Sequence, residues 1–177
     1  NLELLSSLGI ELHESDITEI SKIEKFFRDV DVVFHLAAMN RAQRSIQDPL
    51  LSNKVNVTGT LNCLKLAKDN NVDKFVFSSS SSVYEGVTNR KLEEGMNLKP
   101  LHPYGVGKLS AEHYCRVFNE IFNLKTITLR YFSVYGPRQR GDIDHAGVIA
   151  KFIDLSLKGK NLPVFGDGNQ KRNFSYV

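Results

Sequence analysis

Tyr104 and Lys108 are two side chains whose types and spacing could perform acid–base chemistry. Residues four apart on a helix lie on the same face, one turn from each other. A lysine ammonium beside a phenol favours the phenolate, so we expect Lys108 to lower the pKa of Tyr104 from its usual value of about 10. A tyrosine tuned in this way can act as a general base or acid on a hydroxyl group. Because the Tyr-x-x-x-Lys pattern occurs in many helices, its meaning depends on what surrounds it.

A run of five serines, residues 78–82, lies upstream of this pair in the segment FVFSSSSSVYEG. A flexible linker is one interpretation of such a run, but a linker is not normally preceded by KFVF and followed by VY. In open parallel sheets, ligands bind outside the carboxyl ends of the strands, which is where these serines would lie. A serine hydroxyl at that edge could share a substrate hydroxyl with Tyr104. The sequence therefore predicts the lip of a pocket here and not a linker.

Short apolar segments alternate with amphipathic ones along the chain, and this alternation predicts an α/β fold with a parallel sheet and helices on both faces. The continuous apolar run VVFHLAA is typical of a strand buried on both faces. The only long irregular stretch, 86–103, directly follows the serines, and loops of that length are usually functional or mobile. The predicted strands are 10–13, 32–38, 74–77, 126–129 and 162–165, and the predicted helices are 17–30, 48–71, 104–122 and 147–159.

Composition narrows the function classes. The 177 residues are 41% hydrophobic with a net charge of +3, which suits one domain with a core and offers no basic cluster for nucleic acid. No apolar stretch approaches the roughly 20 residues that span a bilayer, and the N-terminus does not resemble a secretory signal. Cys63 and Cys115 are far apart in helical patterns, which favours buried free thiols of a reducing, cytoplasmic compartment. The histidines show no metal-ligand spacing, so no metal site is predicted.

Six motifs in order carry a resemblance to a known family: VVFHLAA, NVTGT, FVFSSSSSVY, PYGVGK, LRYFSVYGPRQ and VFGDGNQKRNFSYV. From about Asp16 to Val177 the chain resembles the extended short-chain dehydrogenase/reductase family, in its branch of nucleotide-sugar epimerases of the UDP-glucose and UDP-N-acetylglucosamine 4-epimerase type. The resemblance implies a Rossmann-type doubly wound sheet that binds NAD. It assigns residues 1–140 to that domain, without its first βαβ unit, and 141–177 to the beginning of a substrate-binding region.

The resemblance also implies roles for individual residues. Tyr104 would be the catalytic acid or base, Lys108 its partner and a ligand of the nicotinamide ribose, and Ser80 the catalytic hydroxyl. Asp16 would contact adenine, and its carboxylate could also cap the helix that follows. The other cofactor-binding positions would be Ile17, Leu36, Ala37, Ala38, Asn56, Ser78 and Tyr131. The substrate-binding positions would be Ser80, Ser82, Ser133, Phe165 and Arg172.

The mechanism that the family implies is oxidation at C4 of a nucleotide sugar, followed by reduction of the 4-keto sugar on its other face. Tyr104 would take the proton of the 4-hydroxyl while NAD accepts hydride, so the cofactor is regenerated in each cycle. By the same resemblance, helices at 48–70 and 104–122 would pair with those of a second copy in a homodimer.

Several positions depart from the family pattern. Ser133 occupies the place of an asparagine, Asn173 that of an aspartate and Glu85 that of a glycine, while Asn40 and Arg41 lie in a stretch that varies with substrate. Each departure bears on substrate identity and leaves the catalytic groups intact.

Two alternatives remain beside the epimerase. Dehydratases of the family use an Asp–Glu pair where this chain has Ser81 and Ser82, and serine hydroxyls cannot replace carboxylates in that role. Epimerases that act at C5 or on uronic acids, and decarboxylases, remain open. The 177 residues also contain no G-x-x-G-x-x-G, the turn that cradles a pyrophosphate. We therefore expect a fragment of a longer enzyme, and a catalytically silent binding module is the rival from another class.

Overall fold

The computed structural model describes residues 2–87, 91–143 and 146–177. Within those residues the α-helices are α1 (Leu2–Ser7), α2 (Ile20–Ile23), α3 (Ala42–Gln47), α4 (Pro49–Asn53), α5 (Thr60–Asp69), α6 (Pro103–Phe122) and α7 (Val148–Leu157). The strands are β1 (Val32–His35), β2 (Lys74–Ser80), β3 (Lys125–Tyr131), β4 (Val134–Tyr135) and β5 (Ser175–Tyr176). Two 3₁₀ turns, Glu24–Phe27 and Ser81–Tyr84, and one π-helical turn, Lys54–Gly59, complete the elements.

The contacts divide the chain into two compact units. One unit, His13–Tyr131, contains β1 to β3 and α2 to α6, and we call it the sheet unit. The other, made of Asn1–Leu12 and Phe132–Val177, contains α1, α7 and the short β4–β5 pair, and we call it the terminal unit. The division of the chain at residue 140 that the family resemblance implies stays a prediction.

The sheet unit is built on three parallel strands in the order β1-β2-β3. Val32 pairs with Lys74 at one end of the sheet, and Ser80 pairs with Tyr131 at the other. Because every strand runs the same way, the ends of β1, β2 and β3 and the serines of β2 meet at one edge. The predicted parallel α/β architecture is confirmed, and it places the serine run at the carboxyl edge of the sheet.

One face of this sheet carries the core. Phe75 and Phe77 of β2 are completely buried beneath α5 and α6, where Leu64 and Ala111 also have no exposed surface. The helices form because their apolar residues recur at the spacing of one helical face. The core cluster consists of Ile23, Phe27, Cys63, Leu64, Leu66, Ala67, Val72, Phe75, Phe77, Ala111, Cys115, Phe118 and Leu124.

The opposite face of the sheet is apolar but not buried, so the prediction that VVFHLAA is buried on both faces is wrong. Phe34 is 68% exposed and Leu36 67% exposed, and Ile127 on β3 shares this face with Phe34. Side chains alternate between the faces of a strand, and in the sheet unit the described helices pack against the face of Phe75 and Phe77.

The predicted helix over 48–71 is a broken one. It consists of α4, the π-helical turn Lys54–Gly59 and α5. A π turn inserts one residue into an α-helix and is often found at functional sites. Asp48 caps α4 by accepting a hydrogen bond of 2.9 Å from the backbone N–H of Leu51, and Pro49 occupies the first turn, where no N–H is needed.

Other predicted elements are shorter or absent. The helix predicted over 17–30 is reduced to α2 and the 3₁₀ turn Glu24–Phe27. The strands predicted at 10–13 and 162–165 are wrong, because those residues join no hydrogen-bonded ladder among the described strands. In the terminal unit the strand pair is instead β4 with β5, which are parallel. None of the described helices is both long and apolar enough to cross a membrane.

Candidate active site

Lys108 lies buried at the serine-bearing edge of the sheet, only 3% exposed. Its ammonium nitrogen donates a hydrogen bond of 2.7 Å to the carbonyl oxygen of Ser78 and lies 4.8 Å from the ring centre of Phe77. Burial lowers the pKa of Lys108 to about 8 because a charged ammonium loses hydration there. The side chain is therefore close to its titration point at neutral pH and still carries a proton.

Tyr104 is half-buried one turn before Lys108, on the same face of α6. The Lys108 ammonium lies 5.8 Å from the Tyr104 ring centre, and the Ser80 side chain is close enough to the Tyr104 phenol to lower its pKa. The expectation that Lys108 lowers the pKa of Tyr104 is wrong. Burial raises the pKa of Tyr104, and the interaction with Ser80 only partly offsets that effect. The geometry brings a phenol, a hydroxyl and an ammonium together, which is the equipment for proton transfer at an alcohol.

Ser80 and Ser82 form the turn at the end of β2. The Ser80 side chain accepts a hydrogen bond of 3.1 Å from the Ser82 backbone N–H, which caps the 3₁₀ turn Ser81–Tyr84. The Ser82 hydroxyl in turn donates to Glu85 Oε1 at 3.1 Å. The local ST turn thus directs the hydroxyl of Ser80 toward Tyr104, and Glu85 orients that of Ser82.

His102 positions the first turn of α6, where Tyr104 lies. Its Nδ1 accepts a hydrogen bond of 3.1 Å from the Gly105 backbone N–H, so the ring proton belongs on Nε2. Nε2 lies 2.8 Å from Glu85 Oε2, although the angle is not that of a hydrogen bond. The imidazole also stacks on Tyr104, with ring centres 5.9 Å apart. Through Glu85 on one side and Gly105 on the other, His102 links the end of the serine turn to the start of α6.

Asn56, a predicted cofactor-binding residue, is 1% exposed in the π-helical turn. Its amide exchanges two hydrogen bonds with the backbone of Met39, of 2.9 Å from Met39 N and 3.1 Å to Met39 O. Asn56 thereby fixes the loop that follows β1. The close approach of α6 to this turn requires Gly107, since a Cβ atom there would lie 3.1 Å from the Asn56 Cβ.

His35 at the end of β1 is buried, as expected of a strand histidine. Its Nε2 lies 2.9 Å from the Thr60 hydroxyl, which itself donates to the Asn56 carbonyl at 2.8 Å. Thr60 must therefore accept from His35, which fixes the proton on Nε2. Burial, assisted by the charge of Lys108, lowers the pKa of His35 to about 4, so the ring is neutral at pH 7.

The remaining predicted cofactor-binding residues also lie in the sheet unit. Asp16 is exposed and its carboxylate accepts a hydrogen bond of 2.8 Å from Thr18 N, which lowers the pKa of Asp16. Its expected helix-capping role is wrong, because α2 begins only at Ile20. Leu36, Ala37 and Ala38 follow β1, whereas Ser78 and Tyr131 lie in the last residues of β2 and β3. Ile17 packs against the core beside Gly59.

Three predicted substrate-binding residues, Ser133, Phe165 and Arg172, belong to the terminal unit. All three are exposed, with Phe165 at 79%. The Ser175 backbone N–H donates to the Ser133 carbonyl at 3.4 Å, so the β4–β5 pairing brings the segment after Arg172 beside Ser133. Sequence reasoning missed this pairing because each strand has only two residues.

Sequence reasoning also missed a polar network beneath the serines. The Glu112 carboxylate accepts from Ser79 and from Arg130, and Arg130 also donates to Tyr84. The available signal was spacing, because Glu112 follows Lys108 by four residues on the same face of α6. Among the described residues, no group of His, Cys, Asp and Glu side chains is arranged to hold a metal ion, and Cys63 and Cys115 are buried free thiols.

Comparisons with known proteins agree with this geometry. The profile of the NAD dependent epimerase/dehydratase family matches residues 1–177. A UDP-N-acetylglucosamine 4-epimerase from Methanobrevibacter ruminantium, solved with UDP-N-acetylmuramic acid, superimposes with a TM-score of 0.89 and 40% identity, over 94% of this chain and 54% of that one. A UDP-glucose 4-epimerase from Thermotoga maritima, solved with UDP-glucose, gives 0.88 and 35%, over 94% and 55%.

A third solved structure carries both ligands. It is a UDP-glucuronic acid 4-epimerase from Bacillus cereus with UDP-glucuronic acid and NAD, similar at a TM-score of 0.83 and 37% identity, over 97% of this chain and 55% of that one. The chain spans about half the length of the curated relatives it matches.

Proposed function

Because this chain belongs to the NAD-dependent epimerase/dehydratase family, we propose that the full-length protein interconverts UDP-sugars of opposite configuration at C4. The observation that carries the proposal is the contact of Tyr104 with Ser80, beside the buried ammonium of Lys108, at the carboxyl edge of a parallel sheet. The three similar solved structures are 4-epimerases of UDP-sugars, which supports the same reaction class.

The roles of the three residues follow from their surroundings. Tyr104 removes the proton from the C4 hydroxyl and later returns it, while Ser80 holds that hydroxyl by a hydrogen bond. The raised pKa of Tyr104 makes the phenolate rare in the chain alone, so a positive charge brought close to the ring would favour the active form. Lys108 alone does not have that effect, because the pKa of Tyr104 is raised although the ammonium lies 5.8 Å from the ring centre.

The residues at this edge fit the nicotinamide half of NAD. An ammonium has three N–H donors, and within the described residues Lys108 directs one at the Ser78 carbonyl, which leaves donors for ribose hydroxyls. Leu36 and Tyr131 offer exposed apolar surface at the ends of β1 and β3. Asp16 would contact the adenine end. NAD, when bound, supplies the acceptor and the donor of hydride for the sugar carbon.

For the nucleotide sugar, the family resemblance predicts contacts from Ser80 and Ser82 in the sheet unit. Within the terminal unit, taken by itself, it predicts contacts from Ser133, Phe165 and Arg172. A guanidinium suits a diphosphate because its N–H groups can pair with two oxygens at once, and the Arg172 side chain is exposed. An aromatic surface such as that of Phe165, which is 79% exposed, could stack on the nucleotide base.

We also propose that the protein is cytoplasmic. We propose further that it forms a homodimer. The dimer proposal is supported by apolar side chains that are exposed on α4 and α6, the helices that the family resemblance places at the interface. Leu50 is 83% exposed, and Val106, Tyr114 and Ile121 on α6 are exposed as well. Burying such a surface against a second copy would remove it from water.

Incubation of the full-length protein with NAD and, in separate reactions, UDP-glucose, UDP-N-acetylglucosamine or UDP-glucuronate tests the reaction. ¹H NMR should show the galacto-configured product of at least one sugar, and Tyr104→Phe should show none. If all three sugars are recovered unchanged, the proposal is overturned. A dTDP-glucose arm that yields a 4-keto-6-deoxy sugar would favour a dehydratase, and binding without turnover would favour a silent module.

A further inference from the structure

Glu112 and Arg130 form a buried ion pair behind the serine edge. The Glu112 side chain is 8% exposed and that of Arg130 is 20% exposed. The guanidinium meets the carboxylate in a fork, with Nε 3.0 Å from Oε1 and Nη2 2.7 Å from Oε2. Ser79 of β2 adds a hydrogen bond from its hydroxyl to Glu112 Oε1. Both carboxylate oxygens are therefore engaged, and the pair connects α6 with β2 and β3.

The free side of the Arg130 fork is also occupied. Its Nη1 donates to the Tyr84 hydroxyl and, at 2.9 Å, to the Glu94 carbonyl oxygen. The guanidinium carbon lies 5.0 Å from the Tyr84 ring centre. Arg130 is therefore bonded to Tyr84 in the turn that follows β2 and to the backbone of Glu94, in addition to Glu112. A planar fork with this many partners leaves little freedom to reorient.

Lys108 and Glu112 lie one turn apart on the same face of α6 but do not pair with each other. A lysine and a glutamate four residues apart on a helix are close enough to form an ion pair, although the order with lysine first is the less favourable one. Here the Lys108 ammonium donates to the Ser78 carbonyl, whereas the Glu112 carboxylate pairs with Arg130. Lys108 is thus bonded to β2, whereas Glu112 is bonded to both β2 and β3.

The other titratable groups that face Lys108 are uncharged at neutral pH. His35 on β1 is neutral because burial lowers its pKa to about 4, and Cys115 on α6 is a thiol because burial raises its pKa to about 12. Tyr104 on α6 is a phenol for the same reason. Glu112 is therefore the group on this face of α6 whose negative charge could draw Lys108 away from the edge.

We propose that Arg130 is a positioning residue that holds the Glu112 carboxylate away from Lys108 and so keeps the ammonium beside Tyr104 and the Ser78 carbonyl. If Arg130 is removed, two cations lie four residues from the buried Glu112 on α6. Arg116 is exposed and pairs with Glu120, whereas Lys108 is buried like Glu112. The Lys108–Glu112 pair then forms, and the ammonium moves one turn down the helix. The catalytic consequence rests on the proposed function, whereas the rearrangement does not.

The test compares the full-length parent with Arg130→Met and the doubly neutral Glu112→Gln/Arg130→Met. The readout is the titration of Lys108 in protein made with [¹³C]lysine, assigned with Lys108→Arg and followed by the Cε chemical shift. In Arg130→Met the pKa of Lys108 should rise by about one unit or more, because an anion now faces it. In the double variant it should return to the parent value. Ser79→Ala, which keeps the ion pair, should leave it unchanged.

Activity supplies a second readout. If the epimerase reaction is confirmed, kcat of Arg130→Met should fall about 100-fold with KM nearly constant, since a displaced catalytic group is costly. The double variant should recover at least tenfold. Arg130→Lys, which retains the cation and is the safer variant for folding, should fall between parent and Arg130→Met in both readouts. An unchanged Lys108 titration in both Arg130 variants, or a double variant that titrates like Arg130→Met, would overturn the inference even if no UDP-sugar is turned over.

Discussion

Lys108 and Ser78 are joined by a hydrogen bond of 2.7 Å between the ammonium nitrogen and the backbone carbonyl oxygen, which fixes the first turns of α6 against the last residues of β2. Because the acceptor is a backbone atom, the link does not depend on which side chain occupies position 78. It places the Lys108 ammonium 5.8 Å from the Tyr104 ring centre. The expected effects of substitutions follow from that arrangement.

Replacing Tyr104 with phenylalanine should remove the acid–base group without disturbing the helix. We expect kcat to fall by about 10²- to 10⁴-fold, the usual contribution of such a group, while the Kd for the UDP-sugar stays within a few-fold of the parent. Steady-state kinetics and calorimetric titration measure the two quantities. Tyr114→Phe on the same helix is the matched control and should behave like the parent. Retained turnover in Tyr104→Phe would discredit the proposed base.

Replacing Ser80 with alanine should distinguish its role from the roles of the other serines in the run. Ser80 contacts Tyr104 and caps the following turn, so Ser80→Ala should lower kcat by about 10- to 100-fold through loss of that hydrogen bond in the transition state. Ser81→Ala is the control and should stay within a few-fold of the parent. Equal rates for the two variants would show that Ser80 has no special role.

His35 should make the stability of the protein depend on pH. Its folded pKa of about 4 lies below the usual value of 6.5, so between those values the unfolded chain binds more protons than the folded one. The free energy of unfolding should therefore be highest above pH 6.5 and fall, by up to about 3 kcal/mol, as the pH drops to 4. Urea unfolding across that range measures it.

The control for His35 is a second histidine on the surface. His35→Asn should flatten the pH dependence of the free energy of unfolding, whereas His113→Asn, at an exposed site of α6, should leave it as in the parent. If the two variants have the same slope, another group is responsible for the acid sensitivity.

Asn56 should matter for stability because its amide completes the backbone hydrogen bonds of Met39. Asn56→Ala leaves a buried N–H and C=O without partners and should lower the free energy of unfolding by about 2 to 4 kcal/mol. Asn53→Ala, at an exposed site in the same broken helix, should change it by less than about 0.5 kcal/mol. Chemical unfolding at pH 7 compares them, and similar losses would contradict the anchoring role.

The exposed apolar side chains of α4 and α6 give the dimer proposal a direct test. Leu50→Asp should convert a dimer to a monomer in light scattering coupled to size exclusion, because a carboxylate is costly to bury. Leu157→Asp on α7 is the control, since Leu157 is equally exposed, at 84% against 83%, and lies outside the proposed interface. A parent that is already monomeric contradicts the proposal.

The sequence predicts the elements of the sheet unit best where a periodic apolar pattern continues over many residues. The predicted helix 104–122 matches α6 to within one residue, because its apolar pattern extends over several turns. The predicted strand 74–77 is found as well, but β2 continues through the first three serines to Ser80. The predictions at 10–13 and 162–165 fail because a short apolar run becomes a strand only beside another strand. Nothing in the local pattern reveals whether such a neighbour exists.

The sequence predicts which side chains come together at the candidate site better than it predicts their pKa values. Tyr104, Lys108 and Ser80 come together as their spacing indicates. The predicted direction of the Tyr104 pKa shift is wrong because burial, a property of the folded state, raises that pKa by more than the interaction with Ser80 lowers it. The engagement of Asn56 with Met39 likewise depends on a contact between residues 17 positions apart, which a helical pattern does not encode.

The π-helical turn Lys54–Gly59 has a consequence for how this protein can tolerate length changes. Its extra residue rotates α5 by about 100° relative to a continuous helix, so the apolar faces of α4 and α5 are out of phase by one position. Deleting one residue there would yield a regular α-helix of better local geometry. Because the bulge absorbs the extra residue, a deletion within the turn that spares Asn56 would leave Leu64 facing the core. A deletion in the regular turns of α5 before Leu64 would instead rotate that side chain by about 100°. The Lys54–Gly59 turn is therefore the part of this broken helix that should best tolerate loss of one residue.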